Sequence, residues 1–294
     1  MPPSLWQRLL SLFRPSPRRQ IPSVDDIRAV PGRAPSPSSA APRAPKPTPE
    51  ELDRLCAEAL KLAARFVRPA FVPRVQTTSP RNTASPLPTA GSRFCGPAAL
   101  KPGEPWPACS CGKPMQLFLQ LNSAELPAAA NKPFGDGVLQ LFYCTHCDDP
   151  GAFSTAHLPR ILPLSPDLVL ASRPDVPDDP AFPPRIITGW EPPTNDLPNY
   201  EELHDLDTPL TDAHIEALGE NDHEPLQGEK LLGYPYWVQG VDYPSCPRCN
   251  TPMQHLFQID SEKNIPYMFC DAGIGHLTVC PKHRDVLAFG WSCY

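Results

Sequence analysis

Two blocks of this chain repeat each other, and any fold must place them alike. CGKPMQLFLQLNS (111–123) and CNTPMQHLFQIDS (249–261) align without gaps, and six of 13 positions are identical. Each block is followed, at nearly the same distance, by a second pair of metal-ligand residues. Cys144 and Cys147 come 33 and 36 positions after Cys111; Cys280 and His283 come 31 and 34 positions after Cys249. The pattern predicts two related halves, about 92–160 and 230–294, packed about a pseudo-twofold axis. MQLFLQLN (115–122), VLQLFYC (138–144), MQHLFQID (253–260), HLTVC (276–280) and VLAFGWSC (286–293) are short, apolar-rich and bounded by Gly and Pro. They predict strands. The fold class that follows is α+β: two related, antiparallel-rich sheet halves with few helices.

Each half offers four ligands: Cys109, Cys111, Cys144 and Cys147 in the first, and Cys246, Cys249, Cys280 and His283 in the second. Zinc takes four sulfur or nitrogen ligands in a tetrahedron, and a C-x-x-C turn delivers two thiolates from one side. The C-x-C of the first set chelates with more strain. Four protein ligands leave no open position for activating water, so both sites read as structural zinc staples. The competing reading is a cluster of reduced thiols on homologous strands that face one core. Cys270 and Cys293 are left over, and either could replace a ligand in the second half. Cys56 lies on an apolar helix face and reads as a small buried hydrophobe. His146 reads as a turn residue, and His255 and His276 as ordinary strand histidines. Nine of the 11 Cys lie beyond Cys95. The start, MPPSLWQRLLSLFRPSPRR, has Arg8 inside its short apolar stretch and no small-residue cleavage site, unlike a signal peptide. Paired Cys in such a chain point to metal ligands in a cytoplasmic protein.

Proline and charge divide the chain. There are 44 Pro in 294 residues, three times the background of about 5%. Residues 1–108 carry 16 Lys/Arg and 7 Asp/Glu, a formal +9; residues 109–294 carry 10 and 25, a formal −15. Residues 1–47 are expected to be a disordered, basic, Pro-rich segment, since such a composition cannot bury enough apolar surface to offset ordering entropy. Within it SLWQRLLSLFR (4–14) could form a short amphipathic helix, marginal alone, that touches a membrane surface weakly, docks a partner or packs on the body. Thr48-Pro49-Glu50-Glu51 opens a helix expected over 48–68, packed on the body. The body runs over 69–294. Its first part, to 108, reads as a Pro- and Ser-rich lead, and 172–198, with eight Pro, as a long surface connection. A further helix is expected at 212–219, capped by Thr211. No apolar run approaches the ~18 residues that span a bilayer.

SRFCGPAALKPGEPWPACSCGKPMQLFLQLN (92–122) resembles the signature of the bacterial YwqG-like family, in which a Phe-Gly-Gly segment is followed by a Trp-Pro and an apolar strand. Here Phe94-Cys95-Gly96 stands for the former and Trp106-Pro107 for the latter. GVLQLFYC (137–144), LLGYPYWVQ (231–239), LFQID (256–260) and CDAGIGHLTVC (270–280) are similar to later family blocks. The resemblance covers about 92–294. It implies an α+β body of two related sheet halves and brings no established activity or catalytic residues. It also implies that the Cys pairs are not general to the family, so that metals staple a fold able to exist without them.

The chain carries no G-x-S-x-G, P-loop, H-E-x-x-H or dinucleotide Gly fingerprint. A body of −15 lacks the Lys/Arg needed for phosphate contacts, which argues against sequence-specific nucleic-acid binding. From Asp196 to Glu224 there are ten Asp/Glu and no Lys/Arg, with Tyr200, Leu203, Leu206 and Leu210 interleaved. This stretch is expected to present an acidic face, with Glu201, Glu202 and Asp205 as contacts, to a basic protein partner. A toxin or nuclease would be such a partner, and the family resemblance points to bacterial conflict settings, which gives an immunity-type binding module. The alternative is an enzyme acting on a small molecule through an unrecognised pocket.

Overall fold

The computed structural model describes residues 47–77 and 87–294. The expected 4–14 helix and the Pro-rich segment up to residue 46 lie outside them.

Thr48 caps helix α1 (Pro49–Ala63): its hydroxyl accepts from Glu51 N at 3.3 Å, and Pro49 occupies a first-turn position where no N–H is needed. The helix tightens into a 3-10 turn over Ala64–Phe66, so it ends slightly before the expected limit at Arg68. Two short helices pack on it, α2 (Tyr200–Asp205) and α3 (Asp212–Glu220). Ala59 and Ala63 meet Leu203 and Leu218 there, with Cys56 partly buried alongside. Thr211 caps α3 as expected, and His214 completes a capping box by accepting from Thr211 N at 3.2 Å. Among the described residues no helix is long and apolar enough to cross a membrane.

The body is two six-stranded antiparallel sheets. The first contains, in spatial order, β2 (Pro73–Thr77), β9 (Arg185–Trp190), β3 (Arg93–Phe94), β5 (Gln116–Asn122), β6 (Val138–Tyr143) and β7 (His157–Leu162). The second contains β10 (Thr194–Asp196), β1 (Arg68–Phe71), β11 (Lys230–Leu232), β12 (Gln254–Asp260), β13 (Ile274–Val279) and β14 (Leu287–Ser292). A small separate pair joins β4 (Ala98–Leu100) to β8 (Val169–Ala171). Inner-face residues of both sheets form one core, in which Phe94, Phe118, Leu139 and Tyr143 meet Leu231, Phe257, Leu277 and Phe289. Several contacts bridge the sheets directly, among them the rings of Phe94 and Phe257 at 6.0 Å, those of Tyr143 and Phe289 at 6.0 Å, and Trp291 Nε1 donating to the Tyr143 hydroxyl at 2.8 Å.

The repeat governs the sheets in detail. The β5–β6 and β12–β13 hairpins carry a register shift at matching places, Leu117/Leu119 and His255/Phe257. In the first sheet Arg93 lies opposite Gln120; in the second Lys230 lies opposite Gln258. Both cations are fully buried. Arg93 donates to three carbonyls, Pro97 O, Pro88 O and Thr89 O, at 2.7–2.9 Å, while burial pushes its pKa down to about 10. Lys230 Nζ instead meets Asp196 Oδ2 at 2.8 Å. The equivalence continues into the next turn. Cys95 and Gly96 have φ of 57° and 77°, and Leu232 and Gly233 have 61° and 73°. Cys95 thus adopts the left-handed backbone that glycine adopts most cheaply.

The halves exchange strands. β1 lies in the second sheet and β2, two residues later, in the first; β9 lies in the first and β10 in the second. These four strands fall in segments expected to be a Pro-rich lead (69–108) and a surface connection (172–198). The correction has a local cause. Proline is tolerated at strand ends and edges, so Pro183-Pro184 and Pro192-Pro193 flank β9 rather than abolish it.

Candidate metal centre

The first ligand pair of each half sits on a tight loop just before the central hairpin. Bridges between Ala108 and Pro114, and between Ser245 and Pro252, close the two loops. Cys109 N donates to Lys113 O, and Cys246 N to Thr251 O, both at 2.9 Å. The chain reverses through left-handed residues, Gly112 (φ 81°) and Asn250 (φ 53°), two residue types suited to that conformation. The second pair follows β6 or β13 directly. Cys144 N donates to Ala156 O at 2.7 Å and Cys280 N to Val286 O at 3.0 Å, which fixes each turn against the returning strand.

These loops bring the two predicted sets together, residue for residue. Within each set the four ligand atoms lie within 4.8 Å of one another. In the first, Cys109 Sγ is 3.5 Å from Cys147 Sγ, and Cys111 Sγ is 3.6 Å from Cys144 Sγ. In the second, Cys249 Sγ is 3.7 Å from Cys280 Sγ, and His283 Nδ1 is 3.8 Å from Cys246 Sγ and 3.6 Å from Cys280 Sγ. A tetrahedron with ~2.3 Å metal–sulfur bonds has sulfur–sulfur edges of about 3.8 Å, and a metal–nitrogen bond of ~2.0–2.1 Å shortens the mixed edge to about 3.6 Å. The spacing therefore suits a tetrahedral ion in each half. Local hydrogen bonding favours the thiolate form that metals bind at Cys109, Cys246 and Cys249, whereas Cys144 and Cys280, mainly by burial, and Cys147, mainly by its thiol neighbours, are pushed up. At Cys249 the Thr251 hydroxyl and backbone N–H bring the pKa down to about 6. At Cys109 burial acts upward, but the Cys111 N–H and the thiols of Cys147 and Cys144 outweigh it, giving about 7.

A family model for a domain of unknown function, DUF1963, matches residues 92–289. The chain belongs to the DUF1963 family. No curated protein matches it. The DUF1963 region holds both ligand sets and runs from β3 into β14, but leaves out α1, β1 and β2.

The two sets do not point into the common core of the DUF1963 domain. Cys109 and Cys144 belong to a small apolar cluster with Met115, Leu117 and Phe142; Cys246 and Cys280 belong to another with Met253, Val286 and Ala288. A shared core therefore does not explain why the thiols gather. Neither set includes the two spare cysteines of the second half: Cys270 is exposed and Cys293 half-buried. Cys95 is buried in the common core, which pushes its thiol up. His146 lies in the Cys144–Cys147 turn and pairs with Asp179 at 3.0 Å, and His255 and His276 lie on β12 and β13.

The acidic stretch needs correction. Glu201 and Asp205 are exposed, but Glu202 is buried and accepts from the Tyr243 hydroxyl at 3.0 Å. Asp196 is buried as well, taking Lys230 Nζ on one oxygen and Leu226 N on the other. Leu203 is fully buried, and Tyr200, Leu206 and Leu210 pack around it beneath α1. Leu203 is thus a core residue and not a surface anchor, and Tyr200, Leu206 and Leu210 are half-buried against it. Seven carboxylates remain exposed: Glu201, Asp205, Asp207, Asp212, Glu216, Glu220 and Asp222. The Asp196–Lys230 pair escaped the sequence reading, although Lys230 stands where Arg93 does, 137 positions on, just as Cys246 follows Cys109.

Proposed function

We propose that this DUF1963 member is a YwqG-like, cytoplasmic, protein-binding module of the immunity type. One structural zinc ion staples each half, and the acidic surface around α2 and α3 docks a basic protein. The closed four-ligand clusters support a structural role for the metal, since no ligand position is left for substrate or water. The observation that carries the docking reading is the run of seven exposed carboxylates between Glu201 and Asp222 without a Lys or Arg among them. Such a surface speeds encounter with a cationic partner and does so less as salt rises, because the Debye length falls from ~10 Å at 0.1 M to ~3 Å at 1 M.

The test is the association rate with a co-purifying basic protein. Replacing Glu201, Asp205 and Asp207 with Ser, and leaving buried Glu202 alone, is expected to slow association severalfold at low salt. Stability should change little, since exposed charges carry little folding energy. Equal rates for the wild type and the triple variant would remove the acidic surface from the mechanism.

A further inference from the structure

The two halves are equivalent strand by strand, so a difference between them is informative. Across the first sheet Gln120, Gln140 and Arg160 stand side by side on β5, β6 and β7. Across the second the same row reads Gln258, His276 and Gly290. The second half therefore has no side chain where the first has an arginine.

Arg160 occupies this place in the first half. Its Nε donates to Gln140 Oε1 at 2.9 Å, its Nη1 pairs with Glu104, and its guanidinium lies 5.2 Å from the centre of the Phe142 ring. Over His276 and Thr278 in the second half there is a cavity of about 370 Å³, and the Pro150 carbonyl borders it, 3.0 Å from where a side chain on Gly290 would begin. Trp237, Asp242, His276, Thr278, Gly290 and Trp291 line it. Thr278 matches Phe142, and His276 matches Gln140. The lining contains one carboxylate, Asp242, and no Lys or Arg. Asp242 is exposed and stands one position beyond the counterpart of Glu104.

We propose that this cavity receives an arginine side chain from the basic partner, in the position that Arg160 occupies in the first half. The inference rests on the docking reading and deepens it by naming the residue type that is recognised. Trp237 lines the cavity beside His276, their ring centroids 4.8 Å apart, and a guanidinium stacks on an indole better than an ammonium does. Asp242 offers the charge. Burial holds His276 neutral, so it adds no positive charge beside the cavity. The cavity adjoins the acidic surface: Glu201 Oε2 lies 3.7 Å from the point where a side chain on Gly240, another lining residue, would begin.

The test uses the full chain and three blocked tripeptides, Gly-X-Gly with X as arginine, lysine or citrulline, followed by tryptophan fluorescence. The arginine peptide should give a saturable change. The lysine peptide should bind severalfold more weakly, and citrulline, which keeps the shape and loses the charge, should not bind. Asp242→Asn, a change at an exposed position, should weaken the arginine peptide roughly tenfold, the size of one charge-assisted contact. Citrulline binding as well as arginine, or an Asp242→Asn variant that binds as the wild type does, would overturn the proposal. If no peptide binds while the Glu201, Asp205 and Asp207 triple variant still slows association, the cavity proposal falls and the docking reading stands. If the arginine peptide binds and the triple variant associates normally, only the docking reading falls.

Discussion

Cys109 and Cys246 open loops that differ by one residue, and that residue decides how each site answers to the loss of a thiol. In the second loop Asn250 N donates to Cys246 O, four positions back; in the first Gly112 N reaches only three back, to Cys109 O, both at 2.8 Å. The longer loop can hold two ligands with less strain, so a metal bound there is expected to contribute more. Protein purified without added metal is expected to contain two zinc ions per chain by elemental analysis, and one after either Cys249→Ser or Cys109→Ser. The melting temperature should fall more for Cys249→Ser, by about 5–10 °C for a loss of a few kcal/mol. The reverse order would mean that the C-x-C site is the stronger; no zinc and free thiols would remove both sites. The grouping of these eight side chains into two sets was legible because it follows from their spacing. Glu202 was not legible, because ten carboxylates in a row read as solvated surface. Only the fold shows that one of them turns inward to the Tyr243 hydroxyl and another, Asp196, to Lys230. Removing either member of that buried ion pair would leave a bare charge, a loss of about 3–5 kcal/mol.

The two central hairpins carry the fold, and their histidines tie it to pH. Burial is the main cause that holds the His276 pKa down at about 3 and the His255 pKa well below 6.5, and the Lys230 charge adds to both. Above pH ~6.5 the folded and unfolded chains are alike neutral at these rings, and this contribution to stability is complete. As the pH falls the unfolded chain takes up protons that the folded chain refuses. Stability then drops by about 1.4 kcal/mol per pH unit for each ring, until the pH reaches the folded value. The denaturant midpoint is thus expected to fall between pH 7 and pH 5, and His276→Gln, which installs the amide of the matching Gln140, should flatten the slope. An unchanged slope would assign the acid sensitivity elsewhere. These hairpins were readable from their apolar runs between Gly and Pro. β1, β2, β9 and β10 were not, because their pairing partners come from distant sequence and their flanks are rich in proline.

The 14 strands of the described residues and both ligand sets form one body over residues 47–294. A chain beginning at Pro47 is therefore expected to retain the far-UV spectrum and both metals; aggregation, or loss of metal, would assign the first 46 residues to the fold. Strand exchange also places a demand on how the protein is made. Thr194, the start of the first strand to which β1 can pair, follows Phe71 by 123 positions. A ribosome adding about 5–20 residues per second leaves β1 without a partner for roughly 6–25 s. Over that interval Phe71, fully covered in the finished protein, is an apolar side chain on an open strand edge. Nascent chains stalled before residue 194 should accordingly be caught by holding chaperones, and full-length chains released from the ribosome, in which both neighbours of β1 are free to pair, should not be.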